Sequence, residues 1–216
     1  MDEAGIEYWV DSGTLLGVYR NKGLIPHDID ADVGLTQAGF EKIRQTKLNI
    51  PENYELFVNN SPHYRNGPFD FLPGRFADKR TGLYVDLFEF LPLQNTIQVS
   101  KNKTFKFEVS GGQANEYRNG NTTLLMHTDK DATVYMEMEV VEEEVIEQLA
   151  PVASVAWWAC TKCPEYRHFI VPKDWIYPLQ RCPFDGKEVW CPAKQKEYLV
   201  MLYGDNFMEP QNPNDR

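Results

Sequence analysis

The sequence predicts an α/β chain, a mixed sheet flanked by helices, and three observations carry that expectation. Residues 28–34, DIDADVG, alternate acidic and apolar side chains, which marks a strand with one charged and one apolar face. Residues 36–48, TQAGFEKIRQTKL, place Phe40, Ile43 and Leu48 at helical spacing. Residues 75–91, RFADKRTGLYVDLFEFL, read as two strands joined near Arg80-Thr81-Gly82. Strands and helices therefore interleave, and a β-rich insertion and a cysteine-containing C-terminal region follow.

Taken in order, residues 6–12 (IEYWVDS) read as the end of a strand or helix running into Gly13. TLLGVYR then starts a helix capped by Ser12 or Thr14, which ends at Asn21-Lys22-Gly23. Pro26 introduces the aspartate strand, and Thr36 caps the next helix. YELFVNN is a strand, followed by a Pro/Gly-rich loop over residues 61–74. In the second strand of the 75–91 pair, Leu83, Val85 and Leu87 face one way and Tyr84, Asp86 and Phe88 the other. Residues 94–150 turn rich in Asn, Gly and Thr, with short strands (TIQVS, TFKFEVS, TVYMEM). That stretch ends in EMEVVEEEVIEQ, read as a helix with Val141, Val145 and Leu149 inward and a solvated glutamate face. Beyond 151, a hairpin turning at Asp185-Gly186 precedes a helix, AKQKEYLVMLYG, that stops at Gly204. The expected division is a core over 1–93 with the acid site, an insertion over 94–150, and a region over 151–216 that completes the same domain.

A chain of 216 residues with 42% hydrophobic and 25% charged side chains can bury one core with an insertion or small subdomain. Its formal net charge of -10 argues against a nucleic-acid backbone as the main ligand. No segment is long and apolar enough for a membrane span, and MDEAGIEYWV is no signal peptide. The first motif lies so near Met1 that the true N-terminus stays open. The compartment thus stays open between a secretory lumen, for a eukaryotic protein with further chain ahead of Met1, and the cytoplasm. Glycosylation sequons at Asn102 and Asn121 are compatible with the first.

Asp28, Asp30 and Asp32 project from one face of their strand, with Ile29, Ala31 and Val33 on the other. Three carboxylates that close repel one another unless a divalent cation sits among them. The alternative is a solvated acidic loop. Asp86, alone in an apolar run, is either an edge-strand carboxylate facing water or a further acid aimed at the same cation. Mg²⁺ or Mn²⁺ suits such hard oxygens. Gly13 and Thr14, at a helix start, offer free N–H groups to phosphate oxygens. Arg20 and Lys22 could neutralise phosphate, or simply be solvated helix-end cations. Together these parts suit phosphoryl transfer, in which one carboxylate takes the acceptor's proton.

The ordered set of motifs resembles the LicD family, which includes bacterial phosphorylcholine transferases and fukutin-type proteins. Gly13-Thr14-Leu15-Leu16-Gly17, Arg20, Gly23-Leu24-Ile25-Pro26 and His27-Asp28-Ile29-Asp30-Ala31-Asp32-Val33-Gly34 carry it first. Val85-Asp86-Leu87-Phe88, Tyr198-Leu199 and Tyr203-Gly204-Asp205-Asn206 follow. The resemblance implies a nucleotidyltransferase-like fold and transfer of a phospho-alcohol group from a CDP-linked donor to a glycan hydroxyl, with CMP released. It implies Asp30 and Asp32 as the metal pair, Asp86 as the third acid, Asp28 as a supporting residue or further ligand, and Gly13-Thr14 as the phosphate turn. Mannosyl-phosphate transfer, nucleotidyl transfer and a non-catalytic scaffold are the competing functions. His27 departs from the family, which often has Trp there.

Cys160, Cys163, Cys182 and Cys191 fall in one short region. They suit a structural Zn²⁺ held by four thiolates, with His168 as a substitute ligand, two disulfides in an oxidising lumen, or free buried thiols.

Overall fold

The computed structural model describes residues 1–26, 28–67, 72–108, 117–119, 122–124, 126–128, 133–152 and 170–209. His27, Asn121, Cys160, Cys163 and His168 lie outside the described residues. The chain divides into two compact units, one of Met1–Gln94 with Glu147–Arg216 and one of Asn95–Ile146.

The larger unit begins with β1 (Trp9–Val10), α1 (Ser12–Asn21), β2 (Asp30–Thr36), α2 (Gln37–Gln45), β3 (Tyr54–Val58), β4 (Gly74–Asp78) and the start of β5 (Tyr84–Glu108). The smaller unit holds the rest of β5, then β6 (Tyr117–Asn119), β7 (Thr122–Leu124), β8 (Met126–Thr128) and most of β9 (Thr133–Pro151). The larger unit then takes up the end of β9, β10 (Val171–Pro172), α3 (Lys173–Ile176), β11 (Gln180–Phe184), β12 (Lys187–Cys191) and α4 (Gln195–Tyr203).

Its sheet runs in the order β1-β2-β5-β4-β3. Only the β2–β5 pair along this path is parallel. The mixed α/β sheet expected from the periodicities is thus present. Two apolar clusters cover its two faces. Trp9, Phe88 and Phe90 pack with Leu15 and Leu16 of α1 and Leu199 of α4 on one side. Val33, Leu35 and Leu87 pack with Phe40 and Ile43 of α2 and with Leu56 and Val58 on the other. The alternation in β2 and β5 sends successive side chains to these clusters in turn. Gly34 is required by this packing, since a Cβ there would lie 2.3 Å from the Trp9 ring.

Thr36 caps α2 as expected, its hydroxyl accepting from the Gly39 N–H at 3.2 Å. The cap of α1 is Asp11, not Ser12 or Thr14. Burial decides this: Asp11 is enclosed where its carboxylate can satisfy the Ser12 N–H, while Thr14 turns its hydroxyl to another strand. At the hairpin tip Asp185 and Gly186 both have positive φ, 45° and 74°, the primed-turn geometry that matches strand twist. Helix α4 ends at Gly204, whose N–H meets the Val200 carbonyl at 2.8 Å.

Two further expectations fail. Ile29 and Leu83 do not join the apolar back of the sheet but stand 63% and 50% exposed, because pairing starts one residue later at Asp30 and Tyr84. The acidic run ends in strand β9, not a helix. Exposure there alternates residue by residue, leaving Val141 and Val145 at 58% and 64% while Leu149 is buried. The repeated β-branched residues favour the pleat over the helix that the glutamates favour. The glutamates are not merely solvated either: Glu142 and Glu144 pair with Lys101, and Glu142 also with Lys103.

Candidate active site

One register row across the sheet assembles the acids. Parallel pairing sets Asp32 beside Asp86 and Asp30 beside Tyr84. Antiparallel pairing sets Arg75 of β4 beside Asp86, and Phe57 of β3 beside Arg75. Asp30, Asp32 and Asp86 each offer an oxygen, and the three lie within 4.8 Å of one another. Asp28 precedes the strand and reaches the same place through the turn at Gly13. A Cβ on Gly13 would lie 3.5 Å from an Asp28 oxygen and 3.8 Å from an Asp32 oxygen. Glycine thus lets the helix start approach both carboxylates.

The electrostatics are those of a site short of positive charge. Burial first, then Asp11, Asp30, Asp86 and Asp28, push the Asp32 carboxyl up to about 8. Asp28 is raised by partial burial and by Asp30. Asp86 is raised by burial, against which Arg75 pulls it back. Arg75 holds Asp86 bidentately, Nε at 2.6 Å and Nη2 at 2.9 Å, and its guanidinium lies 3.7 Å from the Tyr84 ring centroid. Three clustered carboxyls outnumber the one guanidinium beside them, and their hard oxygens form a donor set that fits Mg²⁺ or Mn²⁺.

The structure brings Asp28, Asp30, Asp32, Asp86 and Gly13 together. Thr14 sits just beneath, its hydroxyl accepting from the Asp32 N–H at 2.7 Å, so it ties α1 to β2. Arg20 and Lys22 lie at the far end of α1, with Lys22 about 13 Å along the axis from Gly13. The Arg20 guanidinium donates to the carbonyls of Phe207 and Glu209, and the Lys22 carbonyl accepts from Asp185 at 2.8 Å. Cys182 and Cys191 form a disulfide with Cα atoms 6.1 Å apart, across the β11–β12 hairpin.

Sequence reasoning missed Arg75 and Asp11. Arg75 was legible in retrospect, because counting back from the turn at 80–82 sets it opposite Asp86. Asp11 had no motif to mark it, and its role depends on contacts from distant α4.

Comparison with known proteins adds a decisive match. The family model described as LicD/FKTN/FKRP, nucleotidyltransferase domain, matches residues 5–122. This chain belongs to the LicD family. The LicD match contains all four aspartates and Arg75, and α4 lies beyond it. Ribitol 5-phosphate transferase FKRP of Homo sapiens is 28% identical over 95 residues, 43% of this chain and 18% of that protein. The mouse protein of the same name matches to the same extent. An uncharacterized protein of Rickettsia prowazekii is 57% identical over 30 residues, 14% of this chain and 11% of that protein. The chain thus aligns with less than a fifth of the length of these relatives.

Proposed function

We propose that this LicD-family chain is a metal-dependent phosphotransferase. It moves a phospho-alcohol group, phosphocholine-like or ribitol-phosphate-like, from a CDP-linked donor to a glycan hydroxyl and releases CMP. The observation that carries this reading is the convergence of Asp30, Asp32 and Asp86 within 4.8 Å on adjacent parallel strands. The name of the human and mouse relatives, ribitol 5-phosphate transferase, supports the class of group transferred.

Asp30, Asp32 and Asp86 would hold Mg²⁺ or Mn²⁺, which when bound neutralises donor phosphates and charge developing on the leaving CMP. Arg75 opposes the rise that burial imposes on the Asp86 carboxyl and fixes the plane of its carboxylate through the bidentate bond. Gly13 lets the donor's phosphates approach the start of α1, where backbone N–H groups favour anions. In the transfer, the acceptor oxygen bonds to the phosphorus of the moving group. The phosphorus–oxygen bond to CMP breaks with its electron pair going to CMP, and the acceptor proton passes to a carboxylate. We assign that role to Asp28, the acid outside the three-oxygen group.

The test is a panel of CDP-choline, CDP-ribitol, CDP-glycerol and GDP-mannose with Mg²⁺ or Mn²⁺, scored by nucleotide release. A CDP-alcohol is expected to yield free CMP. CMP found attached to the acceptor would mean nucleotidyl transfer, GDP-mannose turnover a mannosyl-phosphate reaction, and no release from any donor a non-catalytic protein. Asp30→Asn or Asp32→Asn is expected to abolish turnover with the fold intact, and wild-type rates in either variant sink the site assignment.

A further inference from the structure

Helix α4 lies outside the stretch matched by the family model, yet one of its side chains reaches the base of the acid site. Tyr198 is 1% exposed, and its hydroxyl meets both oxygens of Asp11, at 3.0 and 3.1 Å. Asp11 is itself 3% exposed, and its other side-chain partners are neutral donors, Trp9 Nε1 at 3.2 Å and Ser12. A carboxylate enclosed among neutral donors is costly to bury, so its retention calls for a reason beyond packing.

The Asp11 carboxylate fixes a junction that its main chain makes. The Asp11 N–H donates to the Asp32 carbonyl at 3.0 Å, and the Asp11 carbonyl accepts from the Leu15 N–H at 3.0 Å. Asp11 therefore joins strand β2 at Asp32 to the first turn of α1. Ser12 is held at φ 46°, a left-handed conformation that a non-glycine residue keeps only when its surroundings impose it. The 2.6 Å bond from the Ser12 N–H to Asp11 is one such constraint. That bend carries Gly13 to the Asp28 and Asp32 carboxylates. Five residues beyond Tyr198, Tyr203 also feels the acids: burial, then Asp11, Asp32 and Asp28, raise its phenol.

We propose that Tyr198 is a positioning residue, whose hydroxyl locks Asp11 and, through Asp11, holds the bend at Ser12 and Gly13 against the Asp32 carboxylate. The role deepens the phosphotransferase reading, on which its activity readout rests, but its cation-affinity readout does not depend on which donor is used.

The test compares the full chain with Tyr198→Phe and with Val200→Ala, a neighbouring α4 truncation away from Asp11. Mn²⁺ affinity is read by electron paramagnetic resonance, folding by thermal melting, and kcat and KM with the donor that releases most nucleotide. Tyr198→Phe is expected to bind Mn²⁺ about tenfold more weakly and to lose about tenfold in kcat with little change in donor KM, the scale of a lost outer-shell contact. Val200→Ala is expected to lower the melting temperature while each folded molecule keeps wild-type Mn²⁺ affinity. Wild-type Mn²⁺ affinity in Tyr198→Phe overturns the proposal, as does an equal weakening in Val200→Ala. If Tyr198→Phe does not fold, Asp11→Asn replaces it, with the same weakening expected and unchanged affinity again overturning the proposal. Failure of every donor, with Mn²⁺ affinity still responding to Tyr198→Phe, overturns the phosphotransferase reading and leaves the positioning role standing.

Discussion

Asp86 and Glu89 stand three residues apart on β5 and face opposite sides of the sheet, and each is buried and paired bidentately with an arginine. Asp86 takes Arg75 from the neighbouring strand; Glu89 takes Arg44 from α2 at 3.1 and 2.5 Å. Their surroundings separate them. Around Asp86 the carboxylates of Asp30 and Asp32 outnumber the single guanidinium. Around Glu89 no second carboxylate is buried among the described residues: Arg44 also donates to the Asn59 carbonyl and to Glu41, whose side chain is half exposed. A buried ion pair is thus poor evidence for function by itself. An excess of one sign, close enough to share a cation, is what distinguishes a site from a latch.

The largest stability effect should come from the latch. Glu89→Gln leaves Arg44 buried without its full countercharge, and breaking a buried pair in this way costs about 3 kcal/mol. We expect urea unfolding to show that loss while turnover per folded molecule stays near wild type. A fall in turnover larger than the fall in folded fraction would erase the distinction between the two faces.

Asp32→Asn should act in the opposite direction on stability. The unfolded carboxyl titrates near 3.8 and the folded one at about 8, so the native chain holds a proton that the unfolded chain has released across that window. The contribution of Asp32 to stability is therefore full below 3.8 and lost as pH rises through about 8. The asparagine variant lacks this loss. In chelator at pH 8 it should be more stable than wild type by on the order of 1–2 kcal/mol, after allowing for relaxation and screening. The gain should shrink towards pH 5 and when Mg²⁺ is added. Lower stability of the variant at pH 8 would mean that the acids are not strained against one another.

The contrast between the faces was half legible in the sequence. Period-two spacing put Asp30 and Asp32 on one face, and the lone acid in LYVDLF marked Asp86. Local pattern sufficed because adjacent parallel strands share register. Asp11 and Tyr198 were harder to see, since each gains its role from an element distant in sequence, whereas Arg75 needed only the register of its own hairpin. Arg20 and Lys22, read either as phosphate partners or as solvated helix-end cations, lie near Gly13 in sequence but not in space. A helix of ten residues carried them away. The β9 expectation failed for a related reason: glutamate content favours a helix locally, while pairing to other strands decides for the sheet.

A third carboxylate setting sharpens the comparison from its weak end. In the smaller unit Glu142 and Glu144 meet Lys101 with side chains 33–42% exposed, neither enclosed like Glu89 nor crowded like Asp86. Solvent screens such pairs, and ordering long side chains offsets most of their attraction. Lys101→Gln should leave the melting temperature unresolved from wild type at high salt and lower it only slightly at low salt. It should change neither Mn²⁺ affinity nor turnover, because the exposed pair supplies neither the buried countercharge of Glu89 nor the cation-sharing cluster of Asp86. A large, salt-insensitive drop on that substitution would show the smaller unit to depend on its ion pairs as the α2 contact depends on Glu89, and the ordering of the three settings would have to be redrawn.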